Sequence, residues 1–185
     1  MEPVFHLPFA EFEAISQFGQ VLKKQQGFGI FIPISRQQEG IDFLVLNNRS
    51  QRTLRVQVKS SHWYEWDTPP YYRFWYNNFV GRYRTCIADV YAFTALYPVY
   101  EPGHHVREQL RFWRTSILVF TDQEMAEFLP RIKNKSGKAD RFFQFGFDLE
   151  SAETDIKVTR PDLPDMKLAP HLLKNRVDVL KKLLK

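Results

Sequence analysis

Two stretches of sequence decide the fold: GIDFLVLN at residues 40–47 and TLRVQVKS at residues 53–60. Each has the length and the apolar, β-branched composition of a β-strand, and a short polar segment separates them, so together they predict a β-hairpin. In the second stretch, apolar and polar residues alternate. Because successive side chains of a strand point to opposite faces, one face carries Leu54, Val56 and Val58, and the other carries Arg55, Gln57 and Lys59.

The register of this hairpin brings polar side chains together. If residues 48–51 form the turn, Asp42 lies directly across from Gln57, and the apolar residues of both strands share one face. A shift of one residue would place polar groups on that apolar face, so the pattern favours this register. We therefore expect Asp42, Gln57 and Lys59 to gather at one end of the hairpin.

A helix before the hairpin supplies a further acid. Residues 8–26 carry apolar side chains at helical spacing, and Gly27 follows as a stop signal. At about 100° per residue, Glu11 falls near the centre of the apolar stripe, whereas Glu13 points about 160° away from it. A carboxylate on a core-facing stripe is costly unless it is paired or bound to a metal ion, so we expect Glu11 to face the sheet and to have a functional role.

The remaining segments complete a mixed α/β order of elements. No repeat or flexible linker divides the 185 residues, so we expect a single domain over residues 1–185. A helix is predicted over residues 121–132, where Thr121 and Glu124 form a capping box, and an amphipathic helix over about residues 171–185. The other predicted strands span residues 29–34, 73–79, 87–97, 112–121 and 142–147.

Composition narrows the function classes. The chain has no apolar run of the roughly 20 residues that a membrane span needs, and no signal peptide, so we expect a cytoplasmic protein that does not act in a membrane. A single cysteine, Cys86, excludes internal disulfides and multi-cysteine zinc sites. Lys and Arg number 26 against 21 Asp and Glu, and the net charge of +5 favours polyanionic partners.

A family resemblance rests on the helix and the hairpin together. The sequence resembles the PD-(D/E)XK nuclease superfamily, which includes Holliday junction resolvases and Mrr-type restriction nucleases, over about residues 8–61. The resemblance implies a restriction-endonuclease-like αβββαβ core, with a mixed central sheet flanked by helices, to which this chain adds aromatic-rich strands. The motifs that carry it are Glu11-x-x-Ala14-x-x-x-Phe18, Gly40-Ile41-Asp42 and Gln57-x-Lys59.

The same resemblance implies an endonuclease that hydrolyses phosphodiester bonds of DNA with Mg²⁺ or Mn²⁺. It makes Asp42, Gln57, Lys59 and Glu11 the catalytic residues. The implied metal ligands are Asp42, the side-chain oxygen of Gln57, the Val58 carbonyl and Glu11, all of them the oxygen donors that Mg²⁺ prefers. Lys59 would offset negative charge that develops on the phosphate. Gln57 stands where many members have Glu, which removes one negative charge from the site.

Other features bear on how nucleic acid would be bound. The aromatic-rich segment over residues 62–79 could stack unpaired bases, or pack inside a sheet or a homodimer interface, and we expect packing to be its main role. Predicted contacts to nucleic acid are Arg55, Arg73, Arg111, Arg114, Lys133 and Lys135.

Two alternatives to an active nuclease remain. In one, the chain is a nuclease-fold module that has lost catalysis and binds nucleic acid or a protein partner, an alternative that Gln57 favours. In the other, the chain is a small-molecule or structural domain in which the Gln57-x-Lys59 motif is a coincidence.

Overall fold

The computed structural model gives an alternation of helices and strands that extends well beyond the hairpin. It describes residues 3–33, 40–62, 71–77, 79–84, 87–99, 112–134, 136–138, 140, 143–148, 154–158 and 167–185. In chain order, the elements are α1 (Pro3–Val21), β1 (Phe28–Phe31), β2 (Phe43–Asn47), β3 (Arg52–His62), β4 (Tyr71–Tyr76), α2 (Phe79–Arg82), β5 (Val90–Val99), β6 (Phe112–Thr121), α3 (Asp122–Phe128), β7 (Phe143–Asp148), β8 (Lys157–Val158) and α4 (Val177–Leu183).

Two sheets organise these elements. The main sheet has five strands in the order β1-β2-β3-β5-β6, and a second sheet has three strands in the order β4-β7-β8. β3 and β5 pair in parallel, while the other neighbours in the main sheet are antiparallel. The chain is therefore a mixed α/β protein with a mixed main sheet, as the sequence predicted.

Alternation along β3 decides what covers each face of the main sheet. Val56 and Val58 belong to an apolar cluster that also contains Ala14 and Phe18 of α1, so α1 covers their face. The intervening residues of β3 pair with Tyr91 and Phe93 of β5, which belong to a second, aromatic-rich cluster. That second cluster lies between the two sheets and contains Tyr72, Phe74 and Tyr76 of β4 and Phe143, Phe145 and Phe147 of β7.

Packing therefore explains the described part of the aromatic-rich segment. Phe74 is fully buried, and its ring lies 5.3 Å from that of Phe147 and 5.4 Å from that of Phe145. Trp75 points the other way along β4 and is only half-buried. Trp63, at the start of the segment, lies outside the described residues.

Some predicted elements have different limits. The strand predicted over residues 73–79 ends at Tyr76, because Phe79 begins the one-turn α2 and buries its ring against Phe93, with ring centroids 4.9 Å apart. The single helix predicted over residues 171–185 is wrong in its first part. Leu172 has an extended backbone and forms a bridge with Leu118 of β6, so regular helix starts only at Val177.

The helix predicted over residues 8–26 spans Pro3–Val21, and the strands predicted over residues 29–34 and 87–97 span Phe28–Phe31 and Val90–Val99, whereas two other local predictions are confirmed. The strand over residues 112–121 has the predicted limits. The capping box at the start of α3 is present: the Glu124 backbone N–H donates to Thr121 Oγ1 at 3.1 Å, and the Thr121 N–H donates to Glu124 Oε2 at 2.8 Å. None of the described helices is long and apolar enough to cross a membrane.

Candidate functional site

The β2–β3 hairpin positions Asp42. The two strands pair with Phe43 opposite Val56 and Val45 opposite Leu54, which is the predicted register. The ladder continues into the residue before β2, where the Asp42 N–H donates to the Val56 carbonyl at 2.9 Å. The Asp42 carboxylate then turns back onto β3, and its Oδ2 accepts a hydrogen bond of 2.5 Å from the Val58 N–H. These contacts hold the carboxylate at the end of the hairpin beside Gln57.

Gln57 lies against the backbone that leads into Asp42. A Cβ added to Gly40 would meet Gln57 Nε2 at 3.3 Å and Ile87 Cγ2 at 2.1 Å. Gly40 also has a φ of +87°, a left-handed conformation that glycine adopts without strain. A glycine at position 40 therefore lets the chain pass closely over Gln57 on its way to Asp42.

Lys59 is half-buried on the same face of β3 as Gln57. Burial is the largest influence on its amine and lowers the pKa. The Asp42 carboxylate acts in the opposite direction and raises the pKa, while the Arg82 guanidinium of α2 lowers it further. Lys59 thus lies within the electrostatic reach of Asp42, so three predicted site residues, Asp42, Gln57 and Lys59, are brought together.

Arg82 is a residue of this site that the sequence did not predict. It lies in α2, in a segment where the sequence predicted only the end of a strand and a connection. Its charge acts on Lys59, and its placement depends on the burial of Phe79 of α2 against β5, which is a long-range packing feature. No local pattern in the sequence could have indicated it.

Glu11 lies on the other side of the sheet from Gln57 and Lys59. It is half-buried on α1, one turn before Ala14, and α1 covers the face that carries Val56 and Val58. Its predicted inward orientation agrees with its partial burial and with the complete burial of Ala10 and Ala14. The structure does not place it on the face that carries the other predicted site residues.

The expectation for Glu13 is wrong. Rather than pointing away from the sheet, Glu13 is half-buried, and its Oε1 accepts hydrogen bonds from Thr115 Oγ1 of β6 at 3.0 Å and from Gln17 Nε2 at 2.8 Å. Gln17 Nε2 also donates to Thr115 Oγ1 at 2.7 Å. The reason is that α1 reaches β6 through Thr115, so a helix side outside the apolar stripe still meets a strand.

The chemistry of the donor set fits a hard cation. The Asp42 carboxylate and the Gln57 amide are oxygen donors at opposed positions of the hairpin, and the Val58 carbonyl faces the same side as the Val58 N–H that binds Asp42. One oxygen of the Asp42 carboxylate, Oδ2, already accepts the hydrogen bond from the Val58 N–H. Among the described residues, no group of three or more His, Cys, Asp or Glu side chains could hold a metal ion, so the fit depends on amide and backbone oxygens.

The described basic residues that were predicted to contact nucleic acid lie on several elements. Arg55 is engaged by Asp89, whose carboxylate accepts from Arg55 Nη2 at 2.7 Å and from Arg55 Nε at 3.1 Å. Arg73 on β4, Arg114 on β6 and Lys133 after α3 are exposed. The last two residues of the set, Arg111 and Lys135, lie outside the described residues, as does Cys86.

The pairing with Arg55 also changes the acidity of Asp89. Burial alone would raise the pKa of this carboxyl group. The hydrogen bonds from the Arg55 side chain and backbone, together with the guanidinium charge, outweigh burial and lower the pKa. Arg55 is therefore a structural partner that joins β3 to the start of β5.

Comparison of the chain with protein-family models, with curated proteins and with solved structures finds no match in any of the three.

Proposed function

We propose that the protein is a metal-dependent endonuclease that hydrolyses phosphodiester bonds in DNA. The observation that carries this proposal is the grouping of Asp42, Gln57 and Lys59 at one end of the β2–β3 hairpin, with the Lys59 amine under the influence of the Asp42 carboxylate. An acid, an amide oxygen and a lysine at adjacent positions form the pattern that the resemblance to PD-(D/E)XK nucleases implies.

The order of elements supports a restriction-endonuclease-like core. A helix is followed by three antiparallel strands, and the next strand of the main sheet pairs in parallel with the third. In this chain the connection between the parallel strands contains β4 and the one-turn α2. The chain therefore differs from a plain αβββαβ order by the added aromatic strand in this connection.

Asp42, Gln57 and the Val58 carbonyl would hold the Mg²⁺ or Mn²⁺ ion, whereas Glu11, on the helix that covers the opposite face of the sheet, is left out of the proposed ligand set. The bound ion would supply Lewis-acid polarisation of the phosphate and a more acidic water ligand. The half-buried Lys59 ammonium offsets negative charge on the phosphate, and partial burial strengthens this interaction because the surroundings are less polar than water.

Cleavage of supercoiled plasmid and of branched DNA tests the proposal. The parent protein is expected to cleave with Mg²⁺ or Mn²⁺ and not with EDTA, whereas Asp42→Asn and Lys59→Met are expected to lose cleavage. Lys157→Met is a matched control, since Lys157 is a surface lysine that pairs with Asp155 at 2.6 Å. Cleavage by Asp42→Asn at the parent's rate, or cleavage that persists in EDTA, would contradict the proposal.

A second candidate is a nuclease-fold module that binds nucleic acid without cutting it. Two observations favour this candidate: Gln57 replaces an acid, and Asp42 Oδ2 is occupied by the Val58 N–H. DNA binding without cleavage in either metal ion would favour it. Absence of nucleic-acid binding under all salt conditions would instead favour a small-molecule or structural role. A cytoplasmic location and a homodimer stay predictions.

A further inference from the structure

Three segments that are distant in sequence meet at the turn between β2 and β3. Asn47 Nδ2 and Ser50 Oγ both donate to the Leu184 carbonyl at the end of α4, at 2.9 Å and 2.5 Å. On the other side of the turn, the Asn48 N–H donates to the Gly27 carbonyl at 2.8 Å. The turn therefore joins the segment after α1 to the end of α4.

The three joined segments concentrate positive charge. Residues 23–27, 47–52 and 181–185 contain no Asp or Glu. Their basic residues, which we call the hairpin patch, are Lys23, Lys24, Arg49, Arg52, Lys181, Lys182 and Lys185.

The members of the hairpin patch are available to a partner. All are exposed except Lys181, which is half-buried. Within the described parts of the chain, none of them forms an ion pair. Arg49 lies over Gly27, since a Cβ on Gly27 would be 3.4 Å from its Cγ and Nε atoms. A group of like charges without internal partners creates a positive potential that attracts an extended polyanion.

The packing of α4 indicates whether that polyanion is an anionic membrane surface or a nucleic acid. A helix that binds a bilayer buries its apolar face in the lipid. The apolar residues Leu180 and Leu184 of this segment are fully buried in the protein core, which leaves Leu183 as its exposed large apolar residue. The surface offered by α4 is therefore mainly charged, and the exposed amides of Gln25, Gln26 and Asn48 add neutral donors of the kind that contact phosphate and sugar.

We propose that the hairpin patch binds the phosphate backbone of nucleic acid. This inference rests on the proposed function and deepens it, because it assigns the anchoring surface for the substrate. From Arg52 to Gln57, β3 rises about 17 Å at roughly 3.3 Å per residue. That separation corresponds to about five base pairs of duplex at roughly 3.4 Å each.

Binding of a fluorescein-labelled DNA duplex, measured by anisotropy in EDTA over a range of NaCl concentrations, tests the proposal without cleavage. The triple variant Arg49→Ala, Arg52→Ala and Lys182→Ala is expected to bind more weakly and to show a shallower salt dependence. Each lost phosphate contact should reduce the slope of log K against log salt by about 0.9. A matched control removes the same charge from other exposed positions through Arg131→Ala, Lys138→Ala and Lys167→Ala.

The control should keep most of the affinity and of the salt slope. An equal loss in both triple variants would overturn the proposal, because affinity would then follow net charge and not the hairpin patch. It would also be overturned if the parent bound phosphatidylserine vesicles but not the duplex. Unfolding temperatures of both variants identify any loss that comes from misfolding, and the single variant Lys182→Ala repeats the test at an exposed position.

Asp42→Asn separates this proposal from the proposed function. It should bind the duplex in EDTA as the parent does, while losing cleavage with metal ions. If it loses cleavage but the hairpin-patch variant binds normally, the endonuclease proposal stands and the patch proposal fails. If the hairpin-patch variant loses binding but Asp42→Asn still cleaves, the patch proposal stands and the assignment of Asp42 fails.

Discussion

At the scale of single residues, Gly40 sets the approach of the chain to the candidate site. Gly40→Ala is expected to destabilise the protein by about 2 kcal/mol or more, because it strains a backbone with a φ of +87° and drives a methyl group into Ile87. Urea unfolding measures this cost. The double variant with Ile87→Ala should recover part of it, since it removes the Cγ2 atom of the clash. A double variant whose cost equals the sum of the two single costs would show that the clash is not responsible.

Lys59 illustrates a conflict between function and stability. Because burial disfavours its charged form and lowers its pKa, Lys59→Met is expected to keep or raise the unfolding temperature at neutral pH while it abolishes cleavage. Differential scanning calorimetry of parent and variant provides the measurement. A clear fall in unfolding temperature would instead mean that attraction to Asp42 outweighs the desolvation of the amine.

The site residues that could be predicted from sequence are those placed by local rules. The strand period and the length of one turn fix Asp42, Gln57 and Lys59 relative to each other, and the structure has that register. Arg82 and the contact between Glu13 and Thr115 depend on how distant elements pack, so one-dimensional patterns do not contain them.

At the scale of elements, the capping box of α3 consists of two reciprocal hydrogen bonds between Thr121 and Glu124. Thr121→Ala should destabilise the protein by about 1 kcal/mol, because the Glu124 N–H loses its acceptor. For a protein of 185 residues, this corresponds to about 2–4 °C in unfolding temperature. Thr121→Ser is the control, since serine keeps the hydroxyl acceptor. Equal stability of the Ala and Ser variants would contradict a role for the cap.

The aromatic strand β4 buries Tyr72, Phe74 and Tyr76 on one face, while the other face carries the exposed Arg73 and the half-buried Trp75. Phe74→Ala is expected to cost about 3–5 kcal/mol, because Phe74 is fully buried among aromatic rings. Trp75→Ala should cost less, since its side chain faces away from that cluster and is half-buried. Guanidinium unfolding of both variants tests the ranking, and the reverse order would place the core on the other face of β4.

The types of the elements were easier to predict from the sequence than the residues at which they begin and end. The apolar periodicity of residues 171–185 resembles one helix, and the pattern contains no sign of the bridge between Leu172 and Leu118. By contrast, the start of α3 was predicted correctly because its cap consists of two residues close in sequence, Thr121 and Glu124.

At the scale of the whole molecule, His171 is expected to make the docking of the carboxyl-terminal part sensitive to acid. Its ring stacks on Phe120 with centroids 4.0 Å apart, and its Nδ1 lies 3.3 Å from the Val119 carbonyl. Burial is the main cause of its lowered pKa, and Arg176 lowers it further. Glu124 and the contact with Val119 act in the opposite direction.

The sign of the pH effect follows from this lowered pKa. The unfolded chain binds a proton at His171 near the ordinary value of 6.5, whereas the folded chain does so only at lower pH. Its contribution to stability is therefore complete above about pH 6.5 and decreases as the pH falls towards the folded value. His171→Phe should weaken this acid dependence. Urea unfolding at neutral and mildly acidic pH measures it, and identical pH profiles would contradict the assignment.

The pairing of β4 with β7 has a consequence for how the chain reaches its native state. Tyr71–Tyr76 emerges during synthesis well before its partner Phe143–Asp148, so this aromatic strand has no native neighbour on that edge for much of translation. Exposed segments rich in aromatic residues and poor in charge associate readily with one another. Refolding yield should therefore fall as protein concentration rises. Tyr72 and Phe74 stabilise the folded protein, but in the incomplete chain they should be a main source of aggregation.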